Sequence, residues 1–241
     1  LFMQIIKYKS AQSTNSLLMA MSKKSAKSWT VIWTSDQTSG RGYAGNEWKS
    51  EKDKNLAVSV LIVNDLSYSD LIYFNQWVSN AVANVLSKFS NKVNVKWPND
   101  IVINDKKVSG ILIETHKLEN KLHIITGIGL NVNQISFENY PNAGSMATQI
   151  GGEFDLNEIL SDLLTEMEES YEMIQNKSWE KISEVYQSKL YRIGEWSLFE
   201  NSVERFKGKI KGVNHLGQLE VMLEDESVQV FNHKEIQLIY E

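Results

Sequence analysis

The chain of 241 residues is 42% hydrophobic and 23% charged, proportions that are ordinary for a folded globular protein and exclude disordered and collagen-like classes. Its formal net charge of −5 lacks the basic excess of a protein that binds nucleic acid through many phosphate contacts. Cysteine is absent and the four histidines are scattered, which excludes disulfides and a cysteine nucleophile and predicts no metal site. Because no run of about eighteen apolar residues occurs, we expect a cytoplasmic protein without a membrane partner.

The N-terminal part of the chain predicts one helix and two strands. A hydroxyl of Ser13-Thr14-Asn15 is placed to cap a helix over the run Ser16 to Lys24. A strand follows at Val31 to Ser35, and a strongly apolar strand runs from Leu56 to Val63. The polar, glycine-containing segment between them, up to Lys54, is predicted to be a loop that joins the two strands.

The central part predicts a long amphipathic helix, a hairpin and a further strand. Apolar residues recur at i, i+3 and i+4 spacing between Ser69 and Phe89, so this helix should pack its apolar face on a sheet. Two β-rich runs, Ile101 to Ile103 and Val108 to Ile113, flank an Asn-Asp-Lys-Lys turn and indicate a hairpin. Leu122 to Val132 is a further β-rich run, whereas residues 134–154 lack periodicity and are predicted to form a long loop.

The C-terminal part changes from helical to strand-like patterns. Helical spacing predicts helices at 156–174 and 179–190, and alternation predicts short strands at 203–213, 218–223, 228–231 and 236–239. Strand runs that follow helix runs suggest separate units. We therefore predict an α+β fold with two domains, residues 1–190 and 191–241.

The predicted hairpin brings a carboxylate and an amine together. Asp100 lies at the mouth of the first strand, just after a Trp97-Pro98 step that favours extended backbone at Trp97. Lys107 opens the second strand. The two residues are a candidate reaction centre, although an ordinary hairpin with a polar start and a solvated turn explains the same pattern.

The segment Gly40 to Gly45 matches the bare G-x-G-x-x-G pattern. Its context excludes a dinucleotide fingerprint, which needs a helix directly after the glycines, and the further signatures of a kinase or a Walker P-loop are absent. What remains is a permissive loop with Arg41, a permanent charge for a phosphate or carboxylate, and Trp48, a flat face for a base. A flexible surface loop is the alternative.

Six short motifs occur in the order seen in biotin protein ligases, and together they are far more specific than any one of them. They are Ser13-Thr14-Asn15, Gln37 before Gly40-Arg41-Gly42, Gly45 to Trp48, Lys96 to Asp100, Lys107-x-x-Gly110-Ile111-Leu112 and Gly127-x-Gly129-x-Asn131-Val132-Asn133. The chain closely resembles that family over nearly its whole length. Some members carry a winged helix-turn-helix before the Ser-Thr-Asn motif. Because that motif already falls at residue 13, we expect neither this domain nor a repressor role.

The resemblance implies a fold and a reaction. The fold is a mixed β-sheet catalytic domain flanked by helices, of the class II aminoacyl-tRNA synthetase and biotin synthetase type, followed by a small SH3-like β-barrel. In the reaction, biotin carboxylate attacks the α-phosphate of Mg²⁺-bound ATP to give biotinyl-5′-AMP and pyrophosphate. A lysine of a biotin carrier domain of a biotin-dependent carboxylase then attacks the mixed anhydride.

The resemblance also implies roles for individual residues. Lys107 and Arg41 would meet the carboxylate and the α-phosphate, where negative charge builds in the first transition state. Asp100 would orient or deprotonate the incoming lysine amine, Trp48 would pack near the adenine, and Asn131 would hydrogen-bond it. The residues implied in ligand binding are Ser13, Thr14, Asn15 and Gln37 for the ureido ring, with Gly40, Arg41, Gly42, Tyr43, Trp48, Lys107, Gly110 and Asn131.

One position departs from the common form, because Tyr43 stands where many members carry a second arginine. The loop therefore keeps one charge fewer near the intermediate, which bears on how tightly biotinyl-AMP is retained. The backbone contacts of Gly42 and Tyr43 can survive the change.

Two alternatives come from other classes. A lipoate ligase shares the fold and activates a carboxylate in the same way, but the chain lacks the Arg-Arg-x-x-Gly-Gly signature of those enzymes. Gln37 with Ser13-Thr14-Asn15 also suits a ureido ring better than an apolar dithiolane. A non-catalytic biotin-binding protein of the same fold is the second alternative, and the intact catalytic candidates argue against it. A homodimer could form by pairing of exposed sheet edges.

Overall fold

The computed structural model describes residues 2–24, 26–42, 45–138 and 140–239. Its strands are β1 (Gln4–Lys7), β2 (Thr30–Thr34), β3 (Gly40–Arg41), β4 (Glu47–Trp48), β5 (Leu56–Asn64), β6 (Val93–Lys96), β7 (Asp100–Ile103), β8 (Lys106–Leu118), β9 (Lys121–Leu130), β10 (Trp196–Asn201), β11 (Arg205–Val213), β12 (Leu219–Leu223), β13 (Val228–Phe231) and β14 (Ile236–Leu238). Its helices are α1 (Thr14–Ser22), α2 (Leu71–Ser87), α3 (Met146–Ile150), α4 (Leu156–Ser170), α5 (Glu172–Gln175) and α6 (Trp179–Ser188). None of these helices combines the length and the hydropathy needed to cross a membrane.

Seven strands form one mixed sheet in the order β1-β2-β5-β9-β8-β7-β6. β1 and β2 pair parallel, whereas the other neighbouring pairs are antiparallel. The longest ladders join β9 to β5 and to β8, so the centre of the sheet holds most of its backbone hydrogen bonds. This mixed sheet with its flanking helices confirms the predicted α+β fold class.

Both faces of β5 are covered along part of its length, which explains its nearly continuous apolar run. Val58 and Val60 belong to the main core cluster together with residues of α2 and α4, whereas Leu61 packs on the other face with Leu18 of α1. A strand that is buried on both faces is continuously hydrophobic rather than alternating. Because α1 is only nine residues long, it covers one part of the second face and leaves the rest open.

Helix starts follow from local sequence. Ser13 caps α1 by accepting a hydrogen bond from Ser16 N at 3.3 Å, which confirms the predicted hydroxyl cap. Asp155 caps α4 by accepting from Asn157 N at 2.7 Å.

The prediction of a loop throughout 134–154 is wrong in one part, because Ser145 caps the five-residue helix α3. A helix that short spans too little of the 3.6-residue period to be recognised.

The other predicted helices and strands are present with shifted ends, but the predictions missed five strands. The two-residue strands β3 and β4 lie in the predicted glycine loop, and β1, β6 and β10 hold four to six residues each. They carry little pattern of their own and form because a neighbouring strand offers backbone partners. The predicted helix over 156–174 is divided at Tyr171 into α4 and α5.

The C-terminal strands form a five-stranded antiparallel sheet in the order β13-β12-β11-β10-β14. Among the described residues its outer strands β13 and β14 do not pair in a ladder, so the sheet is not a closed barrel, although it is compatible with an SH3-like fold. It rests against the large sheet, where Trp97 Nε1 donates to Gly217 O at 2.9 Å.

The division into domains at residues 190 and 191 stays a prediction. Val95 of β6 donates to Lys189 O at 2.8 Å and accepts from Tyr191 N at 2.9 Å. The chain is therefore hydrogen-bonded to the large sheet on both sides of the predicted boundary.

Two histidines face each other across β8 and β9, on the face of the sheet that carries α1. His116 and His123 are register partners, and their ring centroids lie 4.8 Å apart. Burial lowers the pKa of both imidazoles, the charges of His123 and Lys23 lower that of His116 further, and Glu119 opposes the shift at His123. In the described part of the chain, both ring nitrogens of His116 and Nδ1 of His123 lack hydrogen-bond partners. The fold therefore favours neutral rings.

This pair predicts a loss of stability in mild acid. The unfolded chain binds the two protons near the ordinary histidine pKa of about 6.5, so the stabilisation is complete above that pH and is lost as the pH falls below it. We expect the urea concentration at the unfolding midpoint to decrease when the pH is lowered from about 7.5 to about 5.5. The decrease should be smaller in the variant His116→Phe/His123→Phe. Urea titrations of both proteins measure this. Equal falls would show that the histidines titrate alike in the folded and unfolded chains.

Candidate active site

The floor of the site is a patch of small residues on the open face of the central sheet. Gly129 of β9 is the register partner of Ala57 on one side and of Gly110 on the other. One row along, Gly127 is the partner of Ser59. Residues opposite each other across a ladder point to the same face, so these residues form a depression. Other chain segments can therefore approach the sheet closely.

A β-bulge places Lys107 over this floor. Asp100 is opposite Gly110, but Val102 is opposite Lys107, with a register shift between the two pairs. Lys107 and Gly110 therefore share a face although they are three positions apart, because the extra residue of the bulge reverses the alternation of side chains along the strand. A Cβ atom on Gly110 would lie 3.3 Å from Lys107 Cε. The lysine side chain thus lies across the glycine toward Asp100.

Asp100 and Lys107, which were predicted to lie close together, form an ion pair. Lys107 Nζ lies 2.6 Å from Asp100 Oδ1, and their side chains are 36% and 30% exposed. The tight turn between them has left-handed backbone at Asn104 and Asp105, residue types that tolerate such a turn. The pair is accessible from the open face of the sheet.

Hydrogen bonds from neighbouring elements fix Pro98 and Asn99, the two residues before Asp100. Tyr186 of α6 donates its hydroxyl to Pro98 O at 2.7 Å, and burial raises the pKa of that hydroxyl. Asn99 Nδ2 donates to Asn75 Oδ1 at 3.1 Å and to Ile111 O at 3.2 Å. Two helices and the neighbouring strand therefore fix the backbone on which Asp100 stands.

A neutral polar network lies at the other end of the floor. Gln37 Oε1 accepts from Thr14 N at 3.0 Å and Thr14 Oγ1 at 3.3 Å. Ser59 Oγ lies 2.7 Å from Thr14 Oγ1 and donates to Asn15 Oδ1 at 2.6 Å. The amide of Asn15 lies directly on Gly127, where a Cβ atom would clash with it. These side chains hold one another in place and are buried apart from Gln37.

A second cation lies near this network. Arg41 Nη2 is 2.6 Å from Glu114 Oε2, and the same oxygen accepts from Asn15 Nδ2 at 3.0 Å. Arg41 stands on the two-residue strand β3, which pairs with β4. The glycine loop thus contains a short hairpin, and Glu114 is in contact with both the hairpin and the polar network.

Trp48 of β4 lies over the glycines of the floor. A Cβ atom on Gly129 would clash with its indole, and one on Gly110 would lie 3.1 Å from its Cζ3 atom. Lys107 Nζ is 5.7 Å from its ring centroid. The indole Nε1 is buried and has no hydrogen-bond partner in the described residues. This close packing requires glycine in both strands.

These elements surround a cavity of about 520 Å³, a volume typical of small-molecule sites. The predicted site residues that line it are Ser13, Thr14, Asn15, Gln37, Arg41, Gly42, Trp48, Asp100, Lys107 and Gly110. The sequence motifs, which are spread over about a hundred positions, therefore converge on one cavity.

Two predicted residues have other positions, and a third is not described. Gly40 lines a neighbouring cavity under the glycine loop. Asn131 is buried behind Lys107, where its Nδ2 donates to Gly144 O at 3.0 Å, and its Oδ1 has no partner in the described part of the chain. Tyr43 lies outside the described residues.

Sequence reasoning missed three residues of the site. Ser59 is a single polar residue in the apolar run of β5, and that contrast was the available signal, whereas Glu114 stands among other polar residues of β8 and gave no such signal. His233 reaches the cavity from the C-terminal sheet, with its ring edge-on to Trp97 at 5.6 Å. Burial lowers the pKa of His233, Asp100 opposes that shift, and the nearby cations add to it. No sequence pattern pointed to this histidine.

Residues 8–131, just over half of the chain, match the family model of biotin/lipoate A/B protein ligases. The chain belongs to the biotin/lipoate A/B protein ligase family. The resemblance inferred from the motifs is thereby confirmed.

Individual members of the family cover the chain to different extents. The bifunctional ligase/repressor BirA of Bacillus spizizenii is 27% identical over 214 residues, which are 86% of this chain and 66% of that protein. The biotin--[acetyl-CoA-carboxylase] ligase of Mycobacterium tuberculosis is 30% identical over 166 residues, 65% of this chain and 59% of that protein. The solved biotin protein ligase of Aquifex aeolicus in complex with biotin and ATP superposes with a TM-score of 0.82 at 26% identity, covering 100% of both chains. The chain thus spans about two thirds or less of the two curated relatives.

The packing of Trp48 on the floor predicts the effect of a single methyl group. In Gly129→Ala the new Cβ would lie 2.6 Å from Trp48 Nε1, so we expect the indole to be displaced and amide exchange over residues 45–52 to accelerate. Hydrogen exchange read by mass spectrometry measures this. In a Trp48→Ala background the same substitution should have little further effect. Equal acceleration in both backgrounds would show that the alanine acts through the sheet and not through Trp48.

Proposed function

We propose that the chain is a biotin protein ligase, which activates biotin with ATP and transfers it to a lysine of a biotin carrier domain. One observation carries the proposal: a single cavity joins a neutral polar network, with Arg41 beside it, at one end to Lys107 and Asp100 at the other. The likeness to the Aquifex aeolicus ligase over the full length of both chains supports it.

The polar network suits a ureido ring. A ureido group carries two N–H donors and one carbonyl acceptor, and it is neutral, so burial requires matched partners rather than counter-charges. Thr14, Asn15, Ser59 and Gln37 offer hydroxyl and amide groups within one connected set of hydrogen bonds. An apolar dithiolane offers these groups no donor or acceptor of its own, which disfavours a lipoate ligase.

The cations suit an acyl-phosphate reaction. When a carboxylate attacks the α-phosphate, negative charge is shared between the attacking oxygen, the phosphoryl oxygens and the leaving pyrophosphate. Lys107 is partly exposed and paired with Asp100, and we propose that it turns from this carboxylate to the phosphate when ATP binds. Arg41 lines the same cavity and adds a second, forked cation.

Asp100 serves the transfer step. A lysine amine has a reference pKa of about 10.4, so it must lose a proton before it attacks biotinyl-5′-AMP. Asp100 lies beside Lys107 at 2.6 Å on backbone held by Tyr186 and Asn99. It is thereby placed to orient the amine and to accept a proton as the acyl bond forms.

ATP would bring Mg²⁺ with it. Among the described residues no group of three or more histidine and carboxylate side chains could hold a metal ion, and this fits an ion that is held mainly by the phosphates and water. Trp48 and Asn131 are the residues proposed for the adenine end, because Trp48 Nε1 and Asn131 Oδ1 have no hydrogen-bond partner within the described residues. The acceptor carrier, a cytoplasmic location and a homodimer stay predictions.

The decisive experiment is to mix the chain with biotin, MgATP and a biotin carrier domain and to measure the mass of the carrier. We expect a gain of one biotinyl group on one lysine, because both half-reactions have residues in the cavity. Omission of ATP is the control. A carrier whose mass changes with lipoate and not with biotin would replace the proposal with the lipoate alternative.

Two variants should separate the two steps. Lys107→Ala should slow pyrophosphate release about a hundredfold, the effect of removing one transition-state donor, with a much smaller loss of biotin affinity. Asp100→Asn should slow transfer from preformed biotinyl-5′-AMP more than its formation. A pyrophosphate assay, calorimetry with biotin and single-turnover transfer measure these quantities. Identical profiles for the two variants would contradict the assignment of separate roles.

A further inference from the structure

Glu114 is a carboxylate at the site to which the proposed reaction gives no role. It follows Gly110 and Leu112 on β8 at two-residue spacing, so all three face the ligand side of the sheet. Its Oε2 atom accepts from Arg41 Nη2 at 2.6 Å and from Asn15 Nδ2 at 3.0 Å. One oxygen thus joins the proposed ureido end of the cavity to the arginine of the glycine loop.

The contact does little for overall stability. The side chain of Arg41 is 48% exposed and that of Glu114 is 26% exposed, and ion pairs with this degree of exposure add little to the free energy of folding. Such a pair can instead contribute geometry, because it selects one orientation of a long, flexible side chain.

The two cavities show which orientation is selected. Arg41 lines both the ligand cavity and the neighbouring cavity under the glycine loop, whereas Glu114 lines only the second. The carboxylate therefore holds the guanidinium from behind, through Nη2. Among the described residues no other hydrogen-bond partner of the guanidinium is found, so its remaining N–H groups are available to an anion in the ligand cavity.

We propose that Glu114 is a positioning residue that presents Arg41 to the phosphate of ATP in the adenylation step, an inference that rests on the function proposed above. An arginine already held in place loses less conformational freedom when the anion binds. A two-residue strand leaves Arg41 few other constraints. Glu114 acts through Arg41 and touches no reacting atom.

The substitution Glu114→Gln separates this role from support of the polar network. The glutamine keeps an oxygen for Asn15, which also donates to Leu112 O at 3.2 Å and accepts from Ser59. The glutamine lacks the negative charge that strengthens the hydrogen bond to Arg41 in the wild-type protein. We therefore expect biotin affinity within about twofold of wild type and a KM for ATP raised about fivefold to tenfold.

Glu200→Gln is the matched control. Glu200 pairs with Arg205 at 2.7 Å on the C-terminal sheet, so the substitution also removes the charge from a surface arginine–glutamate pair of nearly the same length. We expect it to leave the KM for ATP and the biotin affinity unchanged.

A double-mutant cycle tests whether Glu114 acts through the arginine. In an Arg41→Ala background Glu114→Gln should raise the KM for ATP no further. A full additional increase in that background would overturn the inference, because Glu114 would then act independently of Arg41. An unchanged KM for ATP in Glu114→Gln alone would also overturn it.

A readout without turnover distinguishes this inference from the proposed function. Amide exchange over residues 38–42 in the ligand-free protein should be faster in Glu114→Gln than in wild type or Glu200→Gln, because the ionic anchor of Arg41 is lost. If wild type releases no pyrophosphate from biotin and MgATP, the proposed function fails, while faster exchange still supports the link to Arg41. Unchanged exchange contradicts the link whatever the activity.

Discussion

The structure depends on close packing against one patch of a sheet whose opposite face is already full. β5 and its neighbours bury large apolar side chains under α2 and α4, and on the other face the centre of the sheet carries only small residues, with Gly127 beside Ser59 and Gly129 between Ala57 and Gly110. Into this depression fit the Asn15 amide and the Trp48 indole, at distances that any Cβ atom would forbid. A densely packed layer behind the depression keeps the glycine strands in place, so the site stands on the central strands of the sheet.

The charged groups of the site are arranged in pairs. Lys107 lies against Asp100 and Arg41 against Glu114, each at 2.6 Å. Without an anion in the cavity each cation therefore has a carboxylate partner. A bound phosphate would compete with Asp100 for Lys107, whereas Arg41 can keep Glu114 and bind the phosphate through its remaining N–H groups. All four side chains are at least a quarter exposed, so exchanging one partner for another costs far less than breaking a fully buried pair. This property suits a site in which the same cations meet a carboxylate, a phosphate and then a product.

Much of the chemistry was readable from the sequence. The motifs around Ser13, Arg41, Asp100 and Lys107 were each weak alone, yet their order identified the family, and the hairpin turn placed Asp100 near Lys107 because a short turn leaves few alternatives. The amphipathic helix and the apolar strand were predicted for the same reason, since their periodicity is a local property. Short strands such as β1 and β10 and the five-residue helix α3 were missed because they contain too few residues to show a period.

By itself the sequence determined the fold class, the family and the identity of most residues that now line the cavity, because turns, periodic faces and ordered motifs are encoded over short stretches. Only the tertiary structure decided which oxygen holds Arg41, that Ser59 joins Thr14 and Asn15, and that His233 arrives from the C-terminal sheet. The bulge that turns Lys107 toward Asp100 was also decided only by the tertiary structure, because a register shift depends on two strands together. Contacts between distant segments depend on how layers pack, and no local pattern records that packing.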